Sequence, residues 1–147
     1  MSLKPPDDRL SSHNLILGGW IALIFFSSTD IAASWANALY AVLSTGSGLD
    51  KGVSMFVFQK AYHVFLFGVL GCLIASANGS RRNPLPRVML WSFLIGALSE
   101  ALQFAFEGRG PSVADALLNG ASGSAAGWLW TRWLAVSRKA ASSVAES

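Results

Sequence analysis

The sequence predicts an all-α fold: a polytopic membrane bundle of four transmembrane helices, with a short amphipathic helix on its outer side. Three observations carry this. Hydrophobic residues fill 52% of the 147 positions and charged ones only 13%, about half the charge of an ordinary soluble domain. The apolar residues gather into four runs, the longer ones near the roughly 20 residues that a spanning helix needs. The basic residues stand between those runs and at the two ends, the pattern that orients membrane proteins.

Residues 1–14 form an N-terminal segment with Lys4 and Arg9, and His13 is expected at the surface before the first span. The first helix covers Leu15 to Phe26 and extends toward Ser28. It is short, and with Ala32-Ala33-Ser34-Trp35-Ala36 after it, it has a signal peptide as its rival reading. Asp30 is placed to cap the outer helix, in which Ile31, Trp35, Leu39 and Val42 recur at helical spacing. That helix is expected on the outer interface or folded over the bundle mouth, and Gly46-Ser-Gly48 breaks it. Asp50-Lys51 reads as a solvated turn.

The second helix is apolar from Ala61 to Ala77 and helical from near Val53. The third runs from Val88 to Phe106, the fourth from Ala116 to Val136. A tail over 137–147 carries Arg138 and Lys139, with its Ser/Ala-rich end expected to fray from Ala140. Arg81, Arg82 and Arg87 stand between the second and third helices with no acid among them. The positive-inside rule puts that loop and both termini in the cytoplasm, in a plasma membrane. The Phe26-to-Gln59 and Glu107-to-Asp115 connections then face outward. Trp91, Trp128, Trp130 and Trp133 form an interfacial belt near the inner ends.

Polar side chains inside such spans are costly, and they serve a function or a specific pairing. Here they collect at one level. Lys60 and His63 lie one turn apart in the outer half of the second helix, Glu100 and Gln103 in the last turns of the third. Asp115 and Asn119 are stacked at the start of the fourth, and Arg109 stands on the short loop before it. Spacings of three and four put each pair on one helix face. The same faces carry small residues suited to close packing: Ser92 and Gly96, Gly123 and Gly127, and Phe67 with Gly71. The plainer readings are that Arg109 pairs with Asp115 or Glu100, that Asn119 and Gln103 bridge helices, and that Lys60 snorkels outward.

Four stretches resemble the VanZ-like family, small membrane proteins named after a teicoplanin-resistance determinant. Trp20-Ile-Ala-Leu-Ile-Phe-Phe-Ser-Ser28 is similar to the family's first helix with its closing serine pair. Lys60-Ala-Tyr-His63 resembles its basic-residue-then-histidine motif, and Glu100-Ala-Leu-Gln103 its E-x-x-Q. Gly108-Arg109, Asp115, Asn119 and Gly123 resemble its terminal G-R, D, D/N and G. Ser99 stands where an acid often precedes the family glutamate, and Phe65 and Phe67 where tyrosine is common. The resemblance implies that residues 15–136 are a VanZ-like four-helix domain in a bacterial inner membrane, linked to glycopeptide resistance or the cell envelope. It implies no particular reaction.

Three function classes remain open. An outward polar site built on Lys60, His63, Glu100, Gln103, Arg109, Asp115 and Asn119 would bind or modify an envelope lipid, wall precursor or glycopeptide; Arg suits anionic head groups. An enzyme acting on a lipid head group would use His63 as base with Glu100 or Asp115. No Gly-x-Ser-x-Gly elbow or His-Glu-x-x-His motif accompanies them, so the catalytic residues stay unassigned. A structural or transport component is the third class. The expected partner is the bilayer, not nucleic acid, and the sequence leaves the oligomeric state open. No cofactor is expected. The lone Cys72 excludes an intrachain disulfide, and no Cys or His pair has zinc-site spacing. A metal on His63, Glu100 and Asp115 is possible by ligand type, though nothing in their spacing supports one.

Overall fold

In the computed structural model, residues 8–43, 51–78, 83–106 and 110–145 are described, and they form five α-helices and one short 3-10 turn. The helices are α1 (Asp8–Ser27), α2 (Asp30–Leu43), α3 (Lys51–Ala77), α4 (Leu85–Leu102) and α5 (Val113–Ala145). A 3-10 turn at Gln103–Ala105 closes α4. Arg109, Arg81 and Arg82, Gly46 to Asp50 and the extreme ends lie outside the described residues.

Local chemistry sets the boundaries. At the end of α1, Ser27 and Thr29 turn their hydroxyls back onto the carbonyls of Ile24 and Phe26 at 2.6 and 2.7 Å. Such local bonds compete with helix continuation, and the chain bends by 81° into α2. Thr29, not Asp30, caps α2: its Oγ1 accepts the Ala32 N–H at 3.4 Å. Asp30 sits in the first turn instead, where a carboxylate suits the helix dipole. Asn78 stops α3 by donating its side-chain amide to Ile74 O at 2.9 Å. Pro84 caps α4 with its backbone only, while Asn83 Oδ1 takes the Leu85 N–H at 3.2 Å.

α5 packs against both α3 and α4, and α1 rests on α3. The core is Ile24, Leu66, Phe67, Leu70, Ile74, Ala75, Val88 and Ile95. Two polar ties fasten α1 to α3 besides. Trp20 Nε1 donates to Leu66 O at 2.9 Å, and His13 Nε2 reaches Leu73 O at 3.0 Å. His13 is thus half-buried within α1 rather than on the surface ahead of it. α5 also outruns expectation: helix continues to Ala145 where a frayed tail was expected from Ala140.

Among the described residues, two helices are long and apolar enough to cross a membrane, over Gly52–Ala77 and Leu85–Ala105, and the bent α1–α2 pair passes if taken as one broken span. Large apolar side chains such as Leu15, Leu90, Phe65 and Phe104 are exposed, as an apolar solvent allows. α5 is not among the candidate spans. Its Ala, Gly and Ser residues, with Asp115 and Asn119, make it less apolar than its neighbours. The stripe Ile31, Trp35, Leu39 and Val42 on α2 is exposed, although Trp35 meets Phe26 of α1 edge-on; Tyr40 is the buried residue, against Phe58.

Candidate functional site

The helix faces that spacing singled out are the faces that meet. On α4, Ser92, Gly96, Glu100 and Gln103 are buried together with Ser99; on α5, Asn119, Gly123 and Gly127 are buried; on α3, Phe67 and Gly71. Along the seam the backbones touch. A Cβ on Gly71 would stand 1.9 Å from Gly123 O, and one on Gly127 would stand 2.9 Å from Gly71 O. This close approach fixes the rotation of α5 and turns Asp115 and Asn119 toward α3 and α4.

The start of α5 has an unusual cap. Ser112-Val-Ala-Asp115 has the form of a capping box, in which the acid three residues on would bond back to the cap's own N–H. Half of the box forms: Ser112 Oγ accepts the Asp115 N–H at 3.2 Å. The Ser112 N–H goes elsewhere, to Glu100 Oε2 on α4 at 3.1 Å. The Asp115 carboxylate is therefore released from capping and bonds Lys60 Nζ on α3. One turn on, His63 Nδ1 and Asn119 Oδ1 meet at 2.9 Å. Because the amide oxygen only accepts, the imidazole nitrogen donates.

The result is one cluster drawn from three helices. A ring nitrogen of His63 and carboxylate oxygens of Glu100 and Asp115 lie within 4.8 Å of one another. Glu100 is only 4% exposed and Asn119 fully buried, and Glu100 Oε1 and Asn119 Nδ2 have no hydrogen-bond partner among the described residues. Orphaned buried polar atoms are costly and call for an explanation. Lys60 and Asp115 are partly exposed.

Beside this cluster opens a cavity of about 710 Å³, within the size range of small-molecule sites. Lys60, His63, Gln103, Ser99 and Asp115 supply its polar wall, and Phe26, Trp35, Leu39, Met55, Phe58 and Leu66 its apolar one. The bend between α1 and α2 makes the space, because α2 turns over the mouth instead of continuing alongside α3.

Of the seven residues that the sequence singled out, six are brought to this end of the bundle: Lys60, His63, Glu100, Gln103, Asp115 and Asn119. Arg109 lies outside the described residues. The pairing differs from the plain reading, since Asp115 takes Lys60 from across the bundle. Lys60 also lies 5.1 Å from the centre of the Phe56 ring. Sequence reasoning missed Ser112, although the Ser-x-x-Asp spacing was there to find. It also missed Ser99 and Asn37 as cavity residues, although Ser99 lies at helical spacing from Gly96 and Gln103.

The opposite end differs. Arg87 Nη1 donates to Asn78 Oδ1 at 3.1 Å, and Trp130 Nε1 to Ser76 Oγ at 2.7 Å. Trp130 stacks on Trp133 at 4.9 Å, and Arg132 lies 5.1 Å from the Trp128 ring centre. Trp91, Trp128 and Trp133 are exposed. The model of the VanZ/LLP1 family matches residues 5–135 of the chain. No curated protein and no solved structure matches it.

Proposed function

The chain belongs to the VanZ/LLP1 family, and on that premise we propose that it binds an amphiphilic cell-envelope molecule in the cavity at the α2 end of the bundle. The polar head of a phospholipid, lipid-linked wall precursor or lipoglycopeptide would meet Lys60, His63, Gln103 and Asp115, with Glu100 and Asn119 behind them. Arg109, by its place in the sequence, would join from the preceding loop. The apolar part would lie along Phe26, Trp35, Leu39 and Phe58. The observation that carries the reading is the mixed lining of a cavity of about 710 Å³, where Lys60, His63, Gln103 and Asp115 stand with Phe26, Trp35, Leu39 and Phe58.

The experiment is binding by the purified full chain in nanodiscs, followed as protection against thermal unfolding by each of the three ligand types. One of them should raise the unfolding midpoint of the wild type and leave Lys60→Gln and Glu100→Gln unmoved at equal expression and helicity. Equal stabilisation of the wild type and both variants, or of none by any ligand, would assign the polar set a packing role alone.

We further propose that α1, α3, α4 and α5 all span a bacterial plasma membrane with both termini inside. The antiparallel run of the helices supports this, as does the gathering of basic residues at the end opposite the site. α5 can cross despite its modest hydropathy because α3 and α4 cover its polar face. Alkaline phosphatase fused after Gly48 should be active and after Arg82 inactive; the reverse would invert the topology.

A further inference from the structure

We propose that His63, Glu100 and Asp115 form a binding site for a divalent first-row transition-metal ion. The site stands on the side-chain geometry and does not depend on the amphiphile reading, although it adjoins the same cavity.

Each candidate ligand is already held by one hydrogen bond, made through the atom that a metal would not need. Glu100 uses Oε2 for the Ser112 N–H, and its Oε1 is buried without a partner. Asp115 uses Oδ1 for Lys60, which leaves Oδ2. His63 donates Nδ1–H to Asn119 Oδ1, which leaves Nε2 as the ring atom for a metal. Metal-ligating histidines characteristically give their other N–H to an oxygen, and ligating carboxylates are themselves hydrogen-bonded. Here that supporting shell exists in full: Ser112, Lys60 and Asn119.

Charge points the same way. Two carboxylates approach the imidazole with Lys60 as their one cationic partner among the described residues, and Glu100 is buried. Like charges so placed repel, and a buried unpaired carboxylate is costly. A metal cation supplies the counter-charge that Glu100 lacks among the described residues. One ligand-type atom from each of the three residues lies within 4.8 Å of the others, and ligands of a tetrahedral zinc at ~2.0–2.1 Å stand ~3–4 Å apart. Side-chain adjustment is what would close the set. One imidazole with two carboxylates suits Zn²⁺, Mn²⁺ or Fe²⁺ rather than Ca²⁺ or Mg²⁺. Three protein ligands leave a fourth position open, as in sites that bind a further ligand, and His63 and Asp115 both line the cavity. Ligand type singled out these three in the sequence, but their spacing gave no support because each comes from a different helix.

The test uses the purified full chain, stripped with chelator and titrated with ZnCl₂ or MnCl₂ in excess Mg²⁺. Metal content after gel filtration should approach about one ion per chain. Glu100→Gln and His63→Gln should each weaken binding at least ~100-fold, and Asn119→Ala, which removes the imidazole's support, ~10–100-fold. His13→Gln, altering the other histidine, should leave binding unchanged. Co²⁺ in place of the ion should give visible ligand-field bands that vanish in Glu100→Gln. Binding that survives both ligand substitutions is adventitious and overturns the site, as does the absence of binding by a folded wild-type chain. Metal binding without amphiphile binding would overturn only the earlier reading, and the converse only this one.

Discussion

The α3–α5 interface is closed at one end and open at the other, although the same two helices form both. Around Gly71, Gly123 and Gly127 the backbones approach so closely that no Cβ fits. Two to three turns away, Lys60 and His63 face Asp115 and Asn119 through side chains, beside a cavity of about 710 Å³. Without a hydrophobic drive between helices in lipid, close van der Waals packing is what holds a bundle together. The glycine end supplies that packing, and it frees the other end from doing so. Costly polar groups can then stand beside a cavity rather than in the packed seam.

The largest effect should come from breaking the closed end. A Cβ on Gly123 meets Ser92 Oγ at 2.4 Å and Phe67 O at 3.0 Å, so Gly123→Leu forces α5 off both neighbours. Overpacking of this kind costs ~3 kcal/mol or more where backbone must move. The folded fraction recovered by gel filtration should collapse. Recovery at the wild-type level would mean that the seam does not organise the bundle.

A substitution of similar size at the open end should behave differently. Ala33 on α2 lines the cavity, and Ala33→Phe can point its ring into that space. Expression and unfolding midpoint should stay near the wild type, while stabilisation by the amphiphile falls about tenfold in apparent affinity, a ~1.4 kcal/mol loss. A fold as damaged as that of Gly123→Leu would show the cavity to be part of the packing, and the contrast between the two ends would disappear.

These two ends were unequally legible in the sequence. The stripes Ser92–Gly96–Glu100–Gln103 and Asn119–Gly123–Gly127 follow from helical spacing alone, and both are buried as that spacing requires. Helix identity was legible too, because the apolar runs are long. Asp30 misled because two adjacent residues, Thr29 and Asp30, can each cap, and only geometry chooses between them. The cavity could not be read, since it arises from an 81° bend and not from any residue pattern. His63, Glu100 and Asp115 could be named by ligand type, but not their meeting, since they are separated by 37 and 15 positions and come together only after α3, α4 and α5 pack. α5 shows the opposite failing. Its sequence reads as a span by length, yet the small residues that let it occupy the seam lower its apolarity.

The smallest predicted effect is also the sharpest, because it separates close approach from mere glycine content. Gly68 and Gly71 lie one turn apart on α3. A Cβ on Gly68 would meet Ala126 Cβ at 3.7 Å, an ordinary contact, whereas one on Gly71 runs into the Gly123 carbonyl. In a helix interior Ala is favoured over Gly by about 0.5–1 kcal/mol, since it loses less backbone entropy on folding. Where space exists, that preference should show. Gly68→Ala should therefore raise the unfolding midpoint slightly, and Gly71→Ala should lower it by far more. Thermal unfolding of both variants in the same detergent decides the matter: a shift of the same sign and size at the two positions would mean that helix propensity, not backbone contact, governs this face of α3.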